Sequence, residues 1–184
     1  MNRIAIPLAE QTPSASIPLL DAVNKQLGVV PNLMRLIGNS PAALEGYLSL
    51  NSALGKGTIG VKTSERIALA ISEMNECSYC LSAHTYLGAN VAKLDEAEMK
   101  ANRNGSSSDP KANAAIRFAV SVARARGHVS DADIQAVKAA GFSNAEVIEI
   151  VLHVALNTLT NYVNEVAKTV IDFPEVHPQA SMET

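Results

Sequence analysis

Apolar residues in this chain recur every three or four positions and almost nowhere alternate, which is the period of amphipathic helices. Ser16-Ile17-Pro18 opens a first short helix, since proline is tolerated in the first turn, and Gly28 is placed to end it. Val29-Val30-Pro31-Asn32 begins a second, with Leu33, Leu36 and Ile37 on one face, stopped near Gly38-Asn39. Ser40 as N-cap and Pro41 as first residue start a third, reaching about Gly57, on which Leu44, Tyr47, Leu48 and Leu54 keep close to helical spacing. Thr58-Ile59-Gly60-Val61-Lys62 reads as a turn. Thr63 or Ser64 can then cap a helix whose buried face is Ile67, Ala68, Ile71 and Met74. Residues 76–90 form the next helix, and Asp95 caps a short one to about Asn102.

The stretch 104–110, Asn-Gly-Ser-Ser-Ser-Asp-Pro, is expected to be the most flexible connection and to divide the chain into two helical halves. Beyond it, one helix runs from Lys111 to Arg126 and stops at Gly127. Ser130 with Asp133, and Ser143 with Glu146, have capping-box spacing, and Phe142 can staple onto Val147. The helix opened at Ser143 is the longest and could continue to about Val170, before Asp172-Phe173-Pro174. Residues 1–15 read as an N-terminal docking arm and 175–184 as a loose tail. With no β-alternating run of useful length, the expected fold is a single all-α domain, a compact helical bundle of two halves.

Composition adds constraints on function. Hydrophobic residues make up 47% and charged ones 18%, with a formal net charge of −3 and the basic residues scattered. No basic stripe is available to neutralise a phosphate backbone, which excludes a nucleic-acid partner. No apolar run approaches the roughly 18 residues that span a bilayer, and Met1 to Leu8 is too short and interrupted for a secretory signal. The two cysteines, Cys77 and Cys80, are neighbours, which argues against a secreted disulfide framework and for redox or metal chemistry in the cytoplasm.

Those cysteines stand in a C-x-x-C spacing, with His84 four residues after Cys80 and Glu65 twelve before Cys77. Residues three or four apart share a helix face, so the two sulfurs are neighbours and the imidazole can take the Cys80 proton. A free thiol has a pKa near ~8.5, and both a helix N-terminus and a nearby histidine lower it. The helix dipole favours Cys77 and the histidine favours Cys80; the histidine is weighted more because it also passes protons. One unbroken helix would put Glu65 about 30 Å from His84. A break near Asn75, itself a good N-cap, is therefore required if the carboxylate is to orient the base.

His153, Asn157, Asn161 and Asn164 recur at i, i+4, i+8 and i+11 along the final helix. They could line the pocket or orient Glu65 and His84. The favoured alternative is a hydrogen-bonded stripe at a helix or subunit interface, because buried amides must be paired. Isolated, His128 and His177 carry no assigned role.

Glu, eleven residues, C-x-x-C, three residues, His resembles the active-site pattern of the alkylhydroperoxidase D-like group in the carboxymuconolactone decarboxylase superfamily. The match extends through Val30-Pro31-Asn32, Ser40-Pro41 and Asn157-Thr158-Leu159-Thr160-Asn161-Tyr162, and resembles the peroxidase-related branch. The resemblance implies a cofactor-free thiol peroxidase. Glu65 and His84 would relay protons to a peroxidatic Cys80 and a resolving Cys77, which end as a disulfide that an unidentified dithiol reduces. It also implies homo-oligomers, trimers or hexamers. The family's second histidine is replaced here by Tyr79, a possible hydrogen-bond donor but a poor base with a reference pKa of about 10. The alternatives are a general disulfide oxidoreductase or redox sensor, a metal-binding module using Cys77, Cys80, His84 and Glu65, and inert cysteines. Decarboxylation has no use for a C-x-x-C pair.

Overall fold

The computed structural model describes residues 2–179. Over them the chain forms nine α-helices and no strand: α1 (Ile17–Leu27), α2 (Asn32–Ile37), α3 (Pro41–Leu54), α4 (Gly60–Met74), α5 (Ser78–Asn90), α6 (Glu96–Arg103), α7 (Pro110–Arg124), α8 (Asp131–Ala139) and α9 (Asn144–Ala167). A single 3-10 turn, Ala9–Gln11, precedes them.

Helix α4 is the axis of the fold. It packs against α5, α6, α7 and α9, and residues 67 to 72 are all buried, so the helix is enclosed on every side over nearly two turns. One apolar core lies between α4, α7, α8 and α9, built on Ile67, Ile71, Phe118, Val122, Val137 and Ile150. A second joins α1, α2, α3 and α5 through Val23, Leu33, Ile37 and Leu44, and both cysteines belong to it.

Most element starts follow their caps. Ser40, Asp95, Ser130 and Ser143 each accept the expected backbone N–H. Phe142 and Val147 share the first core, as a hydrophobic staple requires. The start of α4 differs from expectation. It begins at Gly60, and Ser64 lies inside it, donating back to the Val61 carbonyl at 2.9 Å. The cap is supplied from α9, where the Glu149 carboxylate accepts from the N–H groups of Thr58 (2.8 Å) and Ile59 (3.2 Å). An anion at a helix N-terminus also complements the macrodipole.

Helix α9 ends at Ala167, three residues before the apolar pattern does, because Lys168 turns left-handed at φ 48°. The N-terminal arm docks at that end, with Arg3 N–H donating to Ala167 O at 2.6 Å and Asn2 Oδ1 accepting from Val170 N–H at 2.7 Å.

Two segments read as loose carry defined bonds. In the 104–110 connection, the side chains and backbone of Ser107 and Ser108 supply hydrogen bonds, chiefly to the Glu98 carboxylate. Beyond α9, the chain runs back over α5. Asp172 accepts from Asn32 N–H at 2.7 Å, Phe173 meets Tyr79 edge-on at 5.9 Å, and Val176 N–H donates to Ser82 Oγ at 2.8 Å. The segment stays bound as far as Gln179, whose N–H donates to Glu73. The remainder of the expected tail, residues 180–184, lies outside the described residues.

Candidate active site

The turn between α4 and α5 creates the site. Helix α4 stops at Asn75, and Glu76 takes the left-handed conformation at φ 53°. A non-glycine residue there costs about 1–3 kcal/mol, a strain that tends to persist where the reversal serves a site. The break falls where Glu65 required it, but Asn75 is not the cap of the next helix. Cys77 takes that position, its Sγ accepting from Cys80 N–H at 3.3 Å. Asn75 instead donates its amide to Asn161 Oδ1 at 2.8 Å, which ties the turn to α9.

The sulfurs lie 2.7 Å apart, with the Cys77 thiol donating to Cys80 Sγ, and a disulfide bond would need about 2.05 Å. Both are free thiols in the core, Cys77 at 0% and Cys80 at 3% exposure. Burial opposes ionisation of Cys80. Against it act the Cys77 thiol, the charge of His84 and the amides of Asn164 and Asn161, and together they bring the Cys80 pKa down to about 7 from an ordinary 9.0. Cys77 moves the other way: it keeps its proton because it gives the hydrogen bond to Cys80 and because it is buried. The Cys80 N–H favours ionisation at Cys77, as a helix N-terminus should, but is outweighed. Cys80 is thus the thiolate of the pair.

Glu65, from α4, accepts from His84 Nδ1 on α5 at 2.9 Å. That bond directs the other ring nitrogen, Nε2, away from the carboxylate and leaves it free for proton transfer. Burial lowers the His84 pKa, yet attraction and hydrogen bonding to Glu65, with help from Cys80, outweigh it and hold the imidazole above its usual value. Beside this pair lies a polar cavity of about 80 Å³, lined by Tyr47, Asn51, Ser64, His153, Asn157 and Thr160 as well as Glu65 and His84. It has room for several water molecules. A larger cavity, about 610 Å³, lies elsewhere, between α4 and α7 with Arg103, Arg117 and Arg124 on its walls, and holds none of these residues.

The four residues of the spacing motif are therefore brought together, while the accessory candidates separate. Tyr79 is turned away from the relay: its hydroxyl accepts from Leu33 N–H at 3.1 Å and its ring stands in the second core, so it anchors α2 to the cysteine helix. Burial drives its pKa up, which removes it from acid–base work. His153 and Asn157 line the cavity behind Glu65 and His84, and Asn157 donates to the His153 carbonyl at 2.8 Å. Asn161 braces the α4–α5 turn, donating to Ser72 Oγ at 3.3 Å while accepting from Asn75. The polar stripe of α9 is buried and largely hydrogen-bonded, as favoured, but it faces this site and not a subunit surface.

Two residues stand closer than the pattern suggested. Asn164 donates to Cys80 Sγ at 3.2 Å. Tyr47, which the period marks only as an apolar position, lines the cavity, and burial with the nearby Cys80 and Glu65 pushes its pKa up to about 12. A tyrosine in an otherwise aliphatic stripe was the signal available. Among the described residues no group of three or more His, Cys, Asp or Glu side chains converges closely enough to hold a metal ion.

The sequence profile of the carboxymuconolactone decarboxylase family matches residues 41–115, the stretch that supplies Tyr47, Glu65, both cysteines and His84. Over that stretch the chain is similar to the carboxymuconolactone decarboxylase family. Its fold is the alkylhydroperoxidase D-like one. It is similar to an uncharacterized peroxidase-related protein from Ralstonia eutropha with an alkylhydroperoxidase core, at TM-score 0.81 and 22% identity over 93% of this chain and 92% of that one. A peroxidase-related protein from a Silicibacter species superposes at TM-score 0.81 and 21% identity over 92% of this chain and 91% of that chain. The debrominase Bmp8 is similar at TM-score 0.76 and 18% identity, over 92% of both chains. No curated protein matches in sequence.

Proposed function

We propose that the chain is a thiol-dependent peroxidase that reduces small hydroperoxides through Cys80 and Cys77, with Glu65 and His84 as the proton relay. The observation that carries this reading is the pair of sulfurs 2.7 Å apart, with the Cys80 thiol near pKa 7 and a Glu65–His84 pair beside it. In the proposed cycle the Cys80 thiolate attacks the terminal oxygen of the hydroperoxide. The S–O bond forms, the O–O bond breaks, and the departing alkoxide takes a proton from His84. The Cys77 thiol then attacks the sulfenic acid, the S–S bond forms, and hydroxide leaves with the Cys77 proton as water. An external dithiol reduces the disulfide by exchange and returns both protons.

Burial favours a small oxidant. Sulfurs at 0% and 3% exposure, overlain by Phe173 and its neighbours, are out of reach of a bulky protein disulfide. The same thiols would serve a reducing compartment such as the cytoplasm. Assembly into homo-oligomers is supported by an exposed apolar row on α9, formed by Ile148, Leu152, Leu159, Tyr162 and Val166 at near-heptad spacing. Cys80→Ser is expected to abolish consumption of hydrogen peroxide and of tert-butyl hydroperoxide with a dithiol donor such as dihydrolipoamide. Undiminished turnover in that variant would sink the assignment.

A further inference from the structure

Cys80 is 3% exposed, and a buried anion must find most of its compensation in fixed donors. Four groups supply it from different places: the Cys77 thiol at the cap of α5, the His84 imidazole on α5, and the Asn164 and Asn161 amides on α9, of which Asn164 lies at 3.2 Å. The first two are consumed by the chemistry, since Cys77 gives up its proton to form the disulfide and His84 gives up its own to the leaving oxygen. An amide does not titrate, so the asparagines persist through every step, and Asn164 is the one whose Nδ2 bonds Cys80 directly, the Asn161 Nδ2 being committed to Ser72.

Asn164 is 2% exposed, and its neighbour Asn161 is locked by bonds to Ser72 and Asn75. Yet the Asn164 Oδ1 is buried without a hydrogen-bond partner. A buried acceptor left unpaired beside a reactive sulfur marks a place where a donor arrives during function. Other groups acting on the two sulfurs are Glu165, through Cys77, and the hydroxyls of Tyr47 and Tyr79. None of these gives Cys80 a hydrogen bond.

We propose that Asn164 is a catalytic residue of this site: its Nδ2 holds Cys80 as the thiolate, and its Oδ1 accepts the O–H that the hydroperoxide brings to that sulfur, first on the peroxide and then on the sulfenic acid. The proposal deepens the peroxidase reading and rests on it for the second role only.

Two measurements test it on the full-length chain. The first uses no peroxide: the pH midpoint of Cys80 alkylation by iodoacetamide, followed by mass. Asn164→Ala is expected to raise that midpoint by about one to two pH units, the effect of losing one hydrogen bond to a charged group. Asn164→Asp, which keeps the shape and adds a like charge, should raise it at least as far. The second uses Cys77→Ser treated with hydrogen peroxide, with the sulfenic acid trapped by dimedone; adding Asn164→Ala should shorten its lifetime about tenfold.

A midpoint that stays with the parent's in both Asn164 variants overturns the thiolate role. An unchanged sulfenic-acid lifetime overturns the second role. If the midpoint moves but the parent forms no sulfenic acid, the peroxidase reading fails and the thiolate role stands. Should Asn164→Ala fail to fold, Asn164→Asp and Asn164→Ser carry the same comparison. A merely structural role would change melting without moving the midpoint.

Discussion

Cys80 and His84 have coupled charges, and Glu65 sets the coupling. The imidazole is held above its usual pKa by Glu65, so its charge is present at low pH and lost only as pH rises through the raised value. The Cys80 thiol ionises at about 7. The raised imidazole and the lowered thiol bring the two titrations towards each other, so thiolate and imidazolium overlap more than they would as free groups. Glu65→Gln keeps the hydrogen bond but removes the charge, so the imidazole pKa falls and the Cys80 midpoint moves up towards 9.0. The alkylation rate at neutral pH is expected to drop about tenfold, as it does when a thiol needs a tenfold lower proton concentration to ionise. An unchanged pH–rate profile for iodoacetamide in that variant would remove Glu65 from the relay. The motif residues were legible because their spacing on a helix encodes contact directly. Tyr47 and the exact partners of Asn161 and Asn164 were not, because they meet the cysteines only across helix interfaces.

At the scale of elements, the α4–α6–α7 junction is held by a buried carboxylate. Glu98 accepts from Arg66 Nε on α4 at 2.9 Å, from Asn102 on its own helix at 3.0 Å, and from Ser107 and Ser108 in the connection. Burial disfavours its charge, but the Ser107, Asn102 and Ser108 hydrogen bonds prevail and pull its pKa to about 2 from 4.5. A depressed carboxyl contributes stability above its unfolded pKa and loses it as pH falls through the folded one. Glu98→Gln is therefore expected to cost about 3–5 kcal/mol near neutral pH, a breakage of one partner in a buried pair. The variant should also lose the acid sensitivity expected of the parent between pH 4.5 and about 2. Urea unfolding at several pH values measures both, and parallel pH dependences for parent and variant would contradict it. The sequence marked 104–110 as a loop by its serines and glycine. What those serines bind could not be read, because Glu98 lies on the preceding helix with only a polar letter to announce it.

For the whole molecule, the row of exposed apolar residues on α9 bears on assembly. Ile148, Tyr162 and Val166 are each about 60% exposed, on the face opposite Val147, Ile150 and Val154 in the core. A helix apolar on both faces is ordinarily covered on both. Tyr162→Glu combined with Val166→Glu is expected to shift the chain to monomers by sedimentation velocity, while a parent that is monomeric at micromolar concentration would refute the assembly. Among the described residues no single helix is long and apolar enough to cross a membrane.

The sequence alone determined the helices, since period, caps and breakers act over a few residues, and it determined that Cys77, Cys80 and His84 are neighbours, since their spacing spans one helix and its cap. The required break near Asn75 also followed, from the rise of a helix alone. Tertiary structure decided the rest. Packing α9 against the α4–α5 pair brought Asn164 to Cys80 and Asn161 to the turn, across more than eighty residues of chain. It turned Tyr79 into an anchor for α2, capped α4 with Glu149 instead of Thr63 or Ser64, and drew the segment to Gln179 across the cysteine helix. Each of these depends on which buried surfaces meet, and the local pattern of polar and apolar positions does not encode that.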